Sequence, residues 1–302
     1  MRLLVTGREG QVARSLIERG AEHGVEVVAL GRPELDLAGR PDSIVAAIEA
    51  TQPDVVVSAA AYTQVDKAES NQELAFAVNE GGPAAVARAG AHLGVPVIHL
   101  STDYVFDGVK SAPYLESDPT APTSVYGASK LAGEQAVRAA YGNSAVLRTA
   151  WVYSPFATNF VKTMLRLAET RDEVSVVADQ HGNPTGALDI ADGVLAVASN
   201  LRSSQDEGAR GIFHMTAAGE ATWADVAEAV FEISGRSGGP TAKVKRISSA
   251  EYPTAARRPA NSRLDCSKLA QVHRVRLPDW HQSLQTVVRR IVQSRASGAA
   301  DR

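Results

Sequence analysis

The chain has 302 residues, of which 44% are hydrophobic and 22% are charged, and a chain of this length and composition buries a large core. The formal net charge of −3 gives no reason to expect a nucleic-acid partner, and the single cysteine, Cys266, excludes an internal disulfide and a cysteine-built zinc site. No stretch approaches the ~18 consecutive apolar residues that cross a membrane. We expect a cytoplasmic protein with no membrane partner, whose short first apolar run is a strand and not a signal peptide.

Short apolar runs alternate with amphipathic segments over the first half of the chain. Helices are predicted at 11–19, 42–51, 73–93 and within 123–134, and buried strands at 3–6, 25–30, 54–61, 95–100 and 144–152. Strands that are apolar along their whole length and separated by helices are typical of a parallel sheet covered on both faces. The sequence therefore predicts an α/β fold with a Rossmann-like, doubly wound parallel sheet over residues 1–150.

The alternation becomes less regular after Trp151. Helices are predicted at 159–170, 187–200, 222–233 and 278–294, and strands at 173–178 and 211–216, with an irregular basic segment at 257–265. The helix at 187–200 is expected to return to the first domain. Residues 151–293 are otherwise predicted to form a smaller C-terminal substrate-binding lobe, and 294–302 a flexible tail.

A glycine turn follows the first predicted strand. Gly7 and Gly10 stand before a helix, which is the context that a phosphate-binding turn needs, and Ala13 replaces the usual third glycine. The glycines permit a tight turn and a close approach of the backbone to a pyrophosphate. The helix N-terminus adds free N–H groups and a positive dipole end, so a dinucleotide site is predicted here.

The end of the second strand bears on which dinucleotide binds. An acidic residue at that position would bind the ribose hydroxyls of NAD, whereas an arginine favours the 2′-phosphate of NADP. The residues here are Gly31 and Arg32, and Arg8 lies in the glycine turn. NADPH is therefore preferred, and NADH is left open. Asp36 and Leu37 are placed to flank the adenine, with a simple turn role for Asp36 as the alternative.

The predicted catalytic groups follow the fourth strand. Thr102 and Asp103 lie where that strand ends, at the edge of the sheet where ligands bind. Tyr126 and Lys130 are four residues apart on the next helix and share one face. In this arrangement a nicotinamide supplies hydride, Tyr126 supplies a proton, and the Lys130 ammonium lowers the pKa of the Tyr126 phenol. Asp103 is assigned either to a sugar hydroxyl or to a structural cap.

Taken together these motifs resemble the extended short-chain dehydrogenase/reductase family, and within it the reductases of dTDP-4-keto-6-deoxy sugars. The glycine turn and Tyr-x-x-x-Lys match the superfamily in general, whereas the other pieces are more specific. The pieces that carry the resemblance are Thr6-Gly7-x-x-Gly10-Gln11-Val12, Ala59-Ala60-Ala61-Tyr62-Thr63, Asp66-Lys67-Ala68-Glu69, Ser101-Thr102-Asp103-Tyr104-Val105-Phe106, Tyr126-Gly127 through Glu134, Arg148-Thr149-Ala150-Trp151, Asn183-Pro184-Thr185 and Asn261-Ser262-Arg263-Leu264.

The resemblance implies NAD(P)H-dependent reduction of the 4-keto group of dTDP-4-dehydro-L-rhamnose to dTDP-L-rhamnose. It implies Tyr126 as proton donor, Lys130 as its partner and ribose ligand, and Thr102 as the group that tunes the hydrogen bond to the keto oxygen. The implied substrate contacts are Thr102, Asp103, Tyr126 and Trp151. The residues implied along the cofactor are Gly7, Gly10, Gln11, Val12, Arg32, Asp36, Leu37, Ala60, Ala61, Tyr62, Tyr126 and Lys130.

The resemblance leaves several points open. Some family members hold a magnesium ion between subunits with glutamates, but Ser15 and Leu188 stand at the corresponding positions, so no metal is expected. A homodimer is compatible with the resemblance. Alternative functions are the reduction or epimerisation of another dTDP-4-keto-deoxysugar and a non-catalytic regulatory role. Three arginines are either ligands of a substrate diphosphate or solvated surface residues, namely Arg257, Arg258 and Arg263. The histidines, which include His99, and Trp223 are interpreted as structural.

Overall fold

The computed structural model describes residues 1–204 and 206–300, with side chains of the last helix described as far as Arg295. The strands are β1 (Arg2–Thr6), β2 (Glu26–Leu30), β3 (Val55–Ser58), β4 (Val97–Thr102), β5 (Ser144–Thr149), β6 (Val152–Tyr153), β7 (Glu173–Val177), β8 (His181–Gly182), β9 (Thr185–Gly186), β10 (Gly211–His214), β11 (Ala221–Thr222) and β12 (Lys243–Ile247). The α-helices are α1 (Gln11–Glu22), α2 (Pro41–Glu49), α3 (Val65–Ala68), α4 (Gln72–Phe76), α5 (Gly82–Leu93), α6 (Val125–Ala140), α7 (Phe160–Leu167), α8 (Ala187–Ser203), α9 (Trp223–Arg236), α10 (Ser267–Val272) and α11 (Trp280–Ala300).

The central sheet of the described chain has six strands in the order β10-β5-β4-β3-β1-β2, and every pairing within it is parallel. This confirms the predicted doubly wound α/β fold. The order changes direction between β1 and β3, and in such a sheet ligands bind in the crevice beside that change, outside the carboxyl ends of the strands. The sixth strand, β10, comes from beyond residue 150, so the sheet takes part of its structure from the second half of the chain.

Helices cover both faces of the sheet because neighbouring residues of a strand point to opposite sides. Leu3 and Val5 pack into a core with α1 and α8, whereas Leu4 packs on the other face with α2 and α5. Helix α8 thus lies on the first sheet, against α1. A third core, in the second lobe, holds α7, α9 and α11 together with β7.

Several elements differ from the sequence-based expectation. The segment predicted as one helix at 73–93 contains a π-helical stretch at Ala77–Gly81 between α4 and α5. Strand β12, which pairs in parallel with β7, was not predicted because its Lys-Val-Lys-Arg-Ile sequence is dominated by charged residues on a partly exposed strand. The predicted flexible tail is helical as far as Ala300, and residues 301 and 302 lie outside the described residues. None of the described helices combines the length and the apolar character needed to cross a membrane.

Helix α6 packs unusually close to its neighbours because glycines face them. A Cβ atom at Gly127 would lie 2.2 Å from the backbone oxygen of Tyr104, and one at Gly133 would lie 2.0 Å from the backbone oxygen of Asn79. Real Cβ atoms do not approach a carbonyl so closely, so a side chain at either position would push the helix away. The glycines therefore fix the distance between α6 and the elements that it meets.

We predict that Gly133→Ala lowers the free energy of unfolding by about 1–3 kcal/mol, because the methyl group overpacks the contact between α6 and the π-helical segment. Chemical denaturation measures the change. The control is Gly142→Ala, because a Cβ atom at Gly142 meets nothing within 4 Å. Equal stabilities of the two variants would contradict the proposed close contact.

Candidate active site

One cavity of about 1020 Å³ runs along the carboxyl ends of the central strands. Every residue that the sequence assigned to a dinucleotide lines it, from Gly7 in the glycine turn to Tyr126 and Lys130 on α6. Its volume is at the upper end of the range of about 300–1000 Å³ for small-molecule sites, which suits an extended dinucleotide. The lining residues that were not predicted include Ser101, Thr149, Val152 and Thr158.

The glycine turn has the open geometry that a phosphate needs. Gly7 has a φ of +93°, which side-chain-bearing residues rarely adopt, and a Cβ atom at Gly10 would meet nothing within 4 Å. Gly10 is the N-cap of α1, and no side chain caps that helix or places a negative charge in its first turn. The N-terminal N–H groups of α1 therefore remain available for an anion, and these residues fit a dinucleotide pyrophosphate.

The two arginines near the end of β2 differ in their partners. The Arg8 guanidinium pairs with Glu34 at 2.8 Å and donates to the Ala29 carbonyl. Arg32 is exposed, lines the cavity and makes no ion pair or hydrogen bond with any described residue. Asp36 also lines the cavity, but its Oδ1 accepts a bond from the Ala38 backbone N–H, as in the alternative turn role. Arg32 is thus the available cation at this end of the cavity.

Asn79, which the sequence analysis did not single out, holds the loop after β3. Its Oδ1 accepts a bond from the Tyr62 N–H at 2.7 Å, and its Nδ2 donates to the Tyr62 carbonyl and to Ser129 Oγ. Ser129 in turn donates to the backbone oxygen of Tyr126. The fully buried amide of Asn79 therefore connects a loop that lines the cavity to the start of α6. No pattern of neighbouring residues indicates this connection.

Tyr126 is half-buried and lies beside Thr102. Burial raises the pKa of the Tyr126 phenol above its usual value, and hydrogen bonding with the Thr102 hydroxyl offsets this rise only in part. The rings of Tyr104 and Tyr126 meet edge to face, with centroids 5.4 Å apart. Ser124 caps the helix by accepting a bond from the Gly127 N–H, which fixes the turn that carries the phenol. Tyr126 therefore keeps its proton at neutral pH.

Lys130 does not act on Tyr126 in the way that the spacing predicted. Its Nζ donates to the Leu100 carbonyl at 2.6 Å and lies 3.4 Å from His99 Nε2. Burial lowers the pKa of Lys130 to about 8, although Glu134 works in the opposite direction. The expectation that Lys130 lowers the pKa of the Tyr126 phenol is wrong for this structure, because desolvation dominates and the ammonium is directed toward β4.

Asp103 is a buried carboxyl with an unused hydrogen-bonding atom. Its Oδ1 accepts a bond from the Thr102 hydroxyl at 2.8 Å, and its buried Oδ2 has no partner among the described residues. Burial raises the pKa of Asp103 to about 6, and hydrogen bonds with Ser262 and Thr102 limit the rise. Asp103 is thus neither a simple cap nor a solvated carboxylate, because an unpaired buried oxygen is costly unless something binds it.

Trp151 is held between two surfaces. Its ring stacks on Trp223 with centroids 3.7 Å apart, and a Cβ atom at Gly182 would lie 2.4 Å from the ring. Its φ of +48° is unfavourable for a bulky residue, a strain of about 1–3 kcal/mol that the surrounding contacts must offset. Trp223 was interpreted as a structural residue, and the structure shows that it forms one side of this aromatic stack.

A smaller basic pocket of about 300 Å³ contains the three arginines named from the sequence. Arg263 is fully engaged, with bonds to Glu220, to the Ser111 carbonyl and to Asn261. Arg258 pairs with Asp66 at 2.5 Å, but its buried Nη1 has no hydrogen-bond partner in the part of the chain that the structure describes. Arg257 is exposed and makes no ion pair or hydrogen bond within the described chain. Arg257 and Arg258, and not Arg263, are therefore available for an anion.

Ser15 and Leu188 stand at the positions where some family members have glutamates that hold a magnesium ion. The Ser15 hydroxyl is buried and donates to the Gln11 carbonyl. Over residues 1–204 and 206–300 no group of three or more His, Cys, Asp and Glu side chains is arranged to hold a metal ion.

Comparisons with known proteins agree with these features. Residues 1–293 match the model of the RmlD substrate binding domain family. The dTDP-4-dehydrorhamnose reductase of Sinorhizobium fredii is 54% identical over 288 residues, which cover 95% of this chain and 97% of that protein. The enzyme of that name from Burkholderia thailandensis is 43% identical over 295 residues, or 96% and 98% of the two chains.

A solved structure of high similarity is dTDP-4-dehydrorhamnose reductase from Bacillus anthracis in complex with NADP. It superposes with a TM-score of 0.88 at 31% identity, and the match covers 95% of this chain and 98% of that chain. The similarity extends over both lobes of this chain, since it covers nearly its whole length.

We predict that Asp103→Asn stabilises the protein at neutral pH. The pKa of the Asp103 carboxyl rises from 3.8 to about 6 on folding, so the ionised carboxylate is less stable in the folded protein than in the unfolded chain. The free energy of unfolding of the wild type therefore falls as the pH rises from about 4 to about 6. The gain should reach at most about 3 kcal/mol above pH 6 and vanish toward pH 4. Thermal unfolding between pH 5 and pH 8, compared with wild type, measures it.

Asp107→Asn is the matched control, because the Tyr114 hydroxyl lowers the pKa of the Asp107 carboxyl. That variant should lose stability at neutral pH, the opposite sign. A loss of stability in Asp103→Asn that does not change with pH would contradict the raised pKa.

Proposed function

Because the chain belongs to the RmlD substrate binding domain family, we propose that it is an NAD(P)H-dependent oxidoreductase that reduces the 4-keto group of dTDP-4-dehydro-L-rhamnose to dTDP-L-rhamnose, the last step of dTDP-L-rhamnose biosynthesis. The observation that carries the proposal is a half-buried Tyr126, beside Thr102, which together with Lys130 lines the same cavity as the glycine turn. The NADP complex of a relative of similar structure supports a nicotinamide cofactor.

Tyr126 is the proton donor in this proposal. Its raised pKa keeps the phenol protonated, so it can transfer its proton to the C4 oxygen as that oxygen becomes an alkoxide. The Thr102 hydroxyl, which interacts with the same phenol, orients the keto oxygen. When bound, the reduced nicotinamide supplies the hydride to the carbonyl carbon. The protein positions the carbonyl and excludes water around the transferred proton.

In this proposal the cofactor is held by the turn after β1, the loop after β3 and helix α6. The N-terminal N–H groups of α1 bind the pyrophosphate, the loop at Ala60–Tyr62 borders the dinucleotide, and Lys130 binds the ribose next to the nicotinamide. Arg32 is the available cation for a 2′-phosphate, which supports NADPH as the preferred cofactor, with NADH as the alternative.

The nucleotide sugar binds on the other side of Tyr126. In this proposal Asp103 Oδ2 accepts a sugar hydroxyl, and the partly exposed edge of the Trp151 ring, held between Trp223 and Gly182, contacts a sugar or base ring. Arg257 and the unpaired Nη1 of Arg258 supply the charge that a diphosphate needs. The same residues could reduce the 4-keto group of another dTDP-4-keto-deoxysugar, which is the alternative substrate.

We predict that Tyr126→Phe lowers kcat for reduction of dTDP-4-dehydro-L-rhamnose by about 10²-fold or more, the scale of general acid catalysis. The rate is followed by NADPH oxidation. Tyr141→Phe is the control, because that hydroxyl lies at the far end of α6 and its one hydrogen bond among the described residues is with Asn143. Activity that survives Tyr126→Phe would rule out the proposed proton donor.

The same assay separates the alternatives. A reductase consumes one NADPH per product and is purified without a retained cofactor, whereas an epimerase or dehydratase retains and regenerates NAD. A regulatory subunit would oxidise no NADPH with any keto sugar and would be recovered in a stable hetero-complex.

We predict that Arg32→Glu raises the KM for NADPH by about tenfold or more and changes the KM for NADH little, because it removes a charge-assisted contact with the 2′-phosphate. Parallel titrations with the two cofactors give both constants. Arg40→Glu serves as the control for the charge change, since Arg40 is an exposed arginine outside the cavity lining. A parallel change for both cofactors would argue against a 2′-phosphate contact.

A further inference from the structure

We propose that His99 is a positioning residue for Lys130: its imidazole takes one N–H of the ammonium and thereby directs another toward the cofactor ribose. This role rests on the proposed function only in assigning the ribose to Lys130. His99 was interpreted from the sequence as structural, because a histidine in the middle of an apolar strand is typical of a core residue.

The contacts of His99 connect three elements. Its ring is completely buried on β4, with Nε2 3.4 Å from Lys130 Nζ on α6 and Nδ1 3.1 Å from Ser58 Oγ at the end of β3. Both ring nitrogens therefore have a partner. A buried imidazole with two defined partners has little freedom to rotate, so it presents a fixed acceptor to the ammonium.

The donors of Lys130 can be counted. An ammonium has three N–H groups and no acceptor. One points to the Leu100 carbonyl at 2.6 Å and a second to His99 Nε2, and the described residues offer Nζ no further hydrogen-bond partner. Since the three donors are arranged tetrahedrally, fixing two of them fixes the direction of the third. That remaining N–H is the one that can reach a ligand in the cavity that Lys130 lines.

The protonation state of His99 fits this arrangement. Burial and the neighbouring ammonium hold the pKa of His99 well below its ordinary value, so the ring is neutral at physiological pH. A protonated Lys130 can only donate, so Nε2 must accept, and the ring proton lies on Nδ1 and is donated to Ser58. A charged imidazole in the same place would repel the ammonium and leave it without an acceptor.

Ser58 extends the connection to the cofactor loop. Directly after it, the N–H groups of Ala59 and Ala60 both donate to Thr6 Oγ1 at the end of β1. Thr6 precedes the glycine turn and lines the same cavity. His99 thus connects Lys130 with the backbone at Ala59 and Ala60, which borders the cavity. A shift of the His99 ring would therefore move the Lys130 ammonium and this backbone.

The other ionisable groups around Lys130 are accounted for. Glu134, one turn further along α6, is the carboxylate that raises the pKa of Lys130, and its own charge is paired with Arg148 of β5. Tyr126, one turn earlier on α6, holds its proton, and Asp103 acts on Tyr126. His99 is therefore the neutral acceptor in this environment, and its loss is expected to lower the pKa of Lys130 from about 8.

The test measures NADPH binding without any sugar substrate, by fluorescence titration of the folded full-length protein between pH 6.5 and 9.5. His99→Leu should raise the Kd for NADPH by about tenfold at pH 7, the effect of losing a hydrogen bond to a charged group. It should also move the loss of affinity at alkaline pH to lower pH. His99→Gln, whose amide oxygen can accept from Lys130, should stay within about threefold of wild type.

Two further variants keep the result interpretable. His273→Leu removes another buried imidazole, which contacts Asn200 and not Lys130, and should leave both the Kd and the pH profile unchanged. Ser58→Ala frees the Nδ1 side of the His99 ring without changing the volume at His99, and should shift the pH profile in the same direction as His99→Leu. This variant decides the question if His99→Leu does not fold.

The role of His99 would be overturned if His99→Leu, or in its absence Ser58→Ala, bound NADPH with the wild-type affinity and pH profile. A Kd for His99→Gln as weak as that for His99→Leu would also overturn it, because the ring would then matter for packing alone. Wild-type protein that bound neither NADPH nor NADH would instead overturn the proposed function and this role with it.

Discussion

The structure depends on the close contact of α6 with the turn after β4 and with the π-helical segment before α5. Gly127 and Gly133 let the helix backbone approach the backbone oxygens of Tyr104 and Asn79 so closely that no side chain fits between them. This approach buries Lys130 almost completely and Tyr126 in part. Desolvation then raises the pKa of Tyr126 and lowers the pKa of Lys130. A lysine is ordinarily exposed to water, so its burial here is unfavourable.

Burying a lysine beside a phenol requires compensation nearby. Glu134 and Arg148 form a bidentate ion pair that is almost fully buried, and Ser101 Oγ donates to the same carboxylate. Such a pair contributes little net stability, because the desolvation of both charges offsets their attraction. Its effect here is geometric: it joins α6 to β5 behind Lys130 and provides a negative charge that keeps the ammonium protonated near neutral pH.

Features that local sequence encodes could be predicted, and features that depend on burial and long-range contacts could not. The apolar strands predicted the fold and the glycine turn predicted a dinucleotide site, because hydrophobic period and backbone freedom are properties of neighbouring residues. The other residues assigned to the cofactor came from the family resemblance, and the structure brings them to the same cavity. The i, i+4 spacing correctly put Tyr126 and Lys130 on one cavity. It could not show that the Lys130 side chain would turn to the Leu100 carbonyl, or that desolvation would raise the Tyr126 pKa. The contacts of Asn79 and His99 join residues from separate elements. The stacking of Trp223 on Trp151 joins residues 72 positions apart. No pattern of neighbouring residues in the sequence indicates any of these contacts.

The loops proposed to bind the cofactor also form hydrogen bonds with the second half of the chain. Gln11, at the start of α1, donates to the Val152 carbonyl and accepts bonds from Ser154 and Asn159. Asp66, near the loop that Asn79 holds, accepts bonds from Arg258 and from the Ala256 N–H. In both sets of hydrogen bonds, one residue, Gln11 or Asp66, lies in the first half of the chain. Its partners lie in segments that border Trp151 or the basic pocket. These hydrogen bonds therefore join the loops proposed to hold the dinucleotide to the segments that carry the residues proposed to bind the sugar nucleotide.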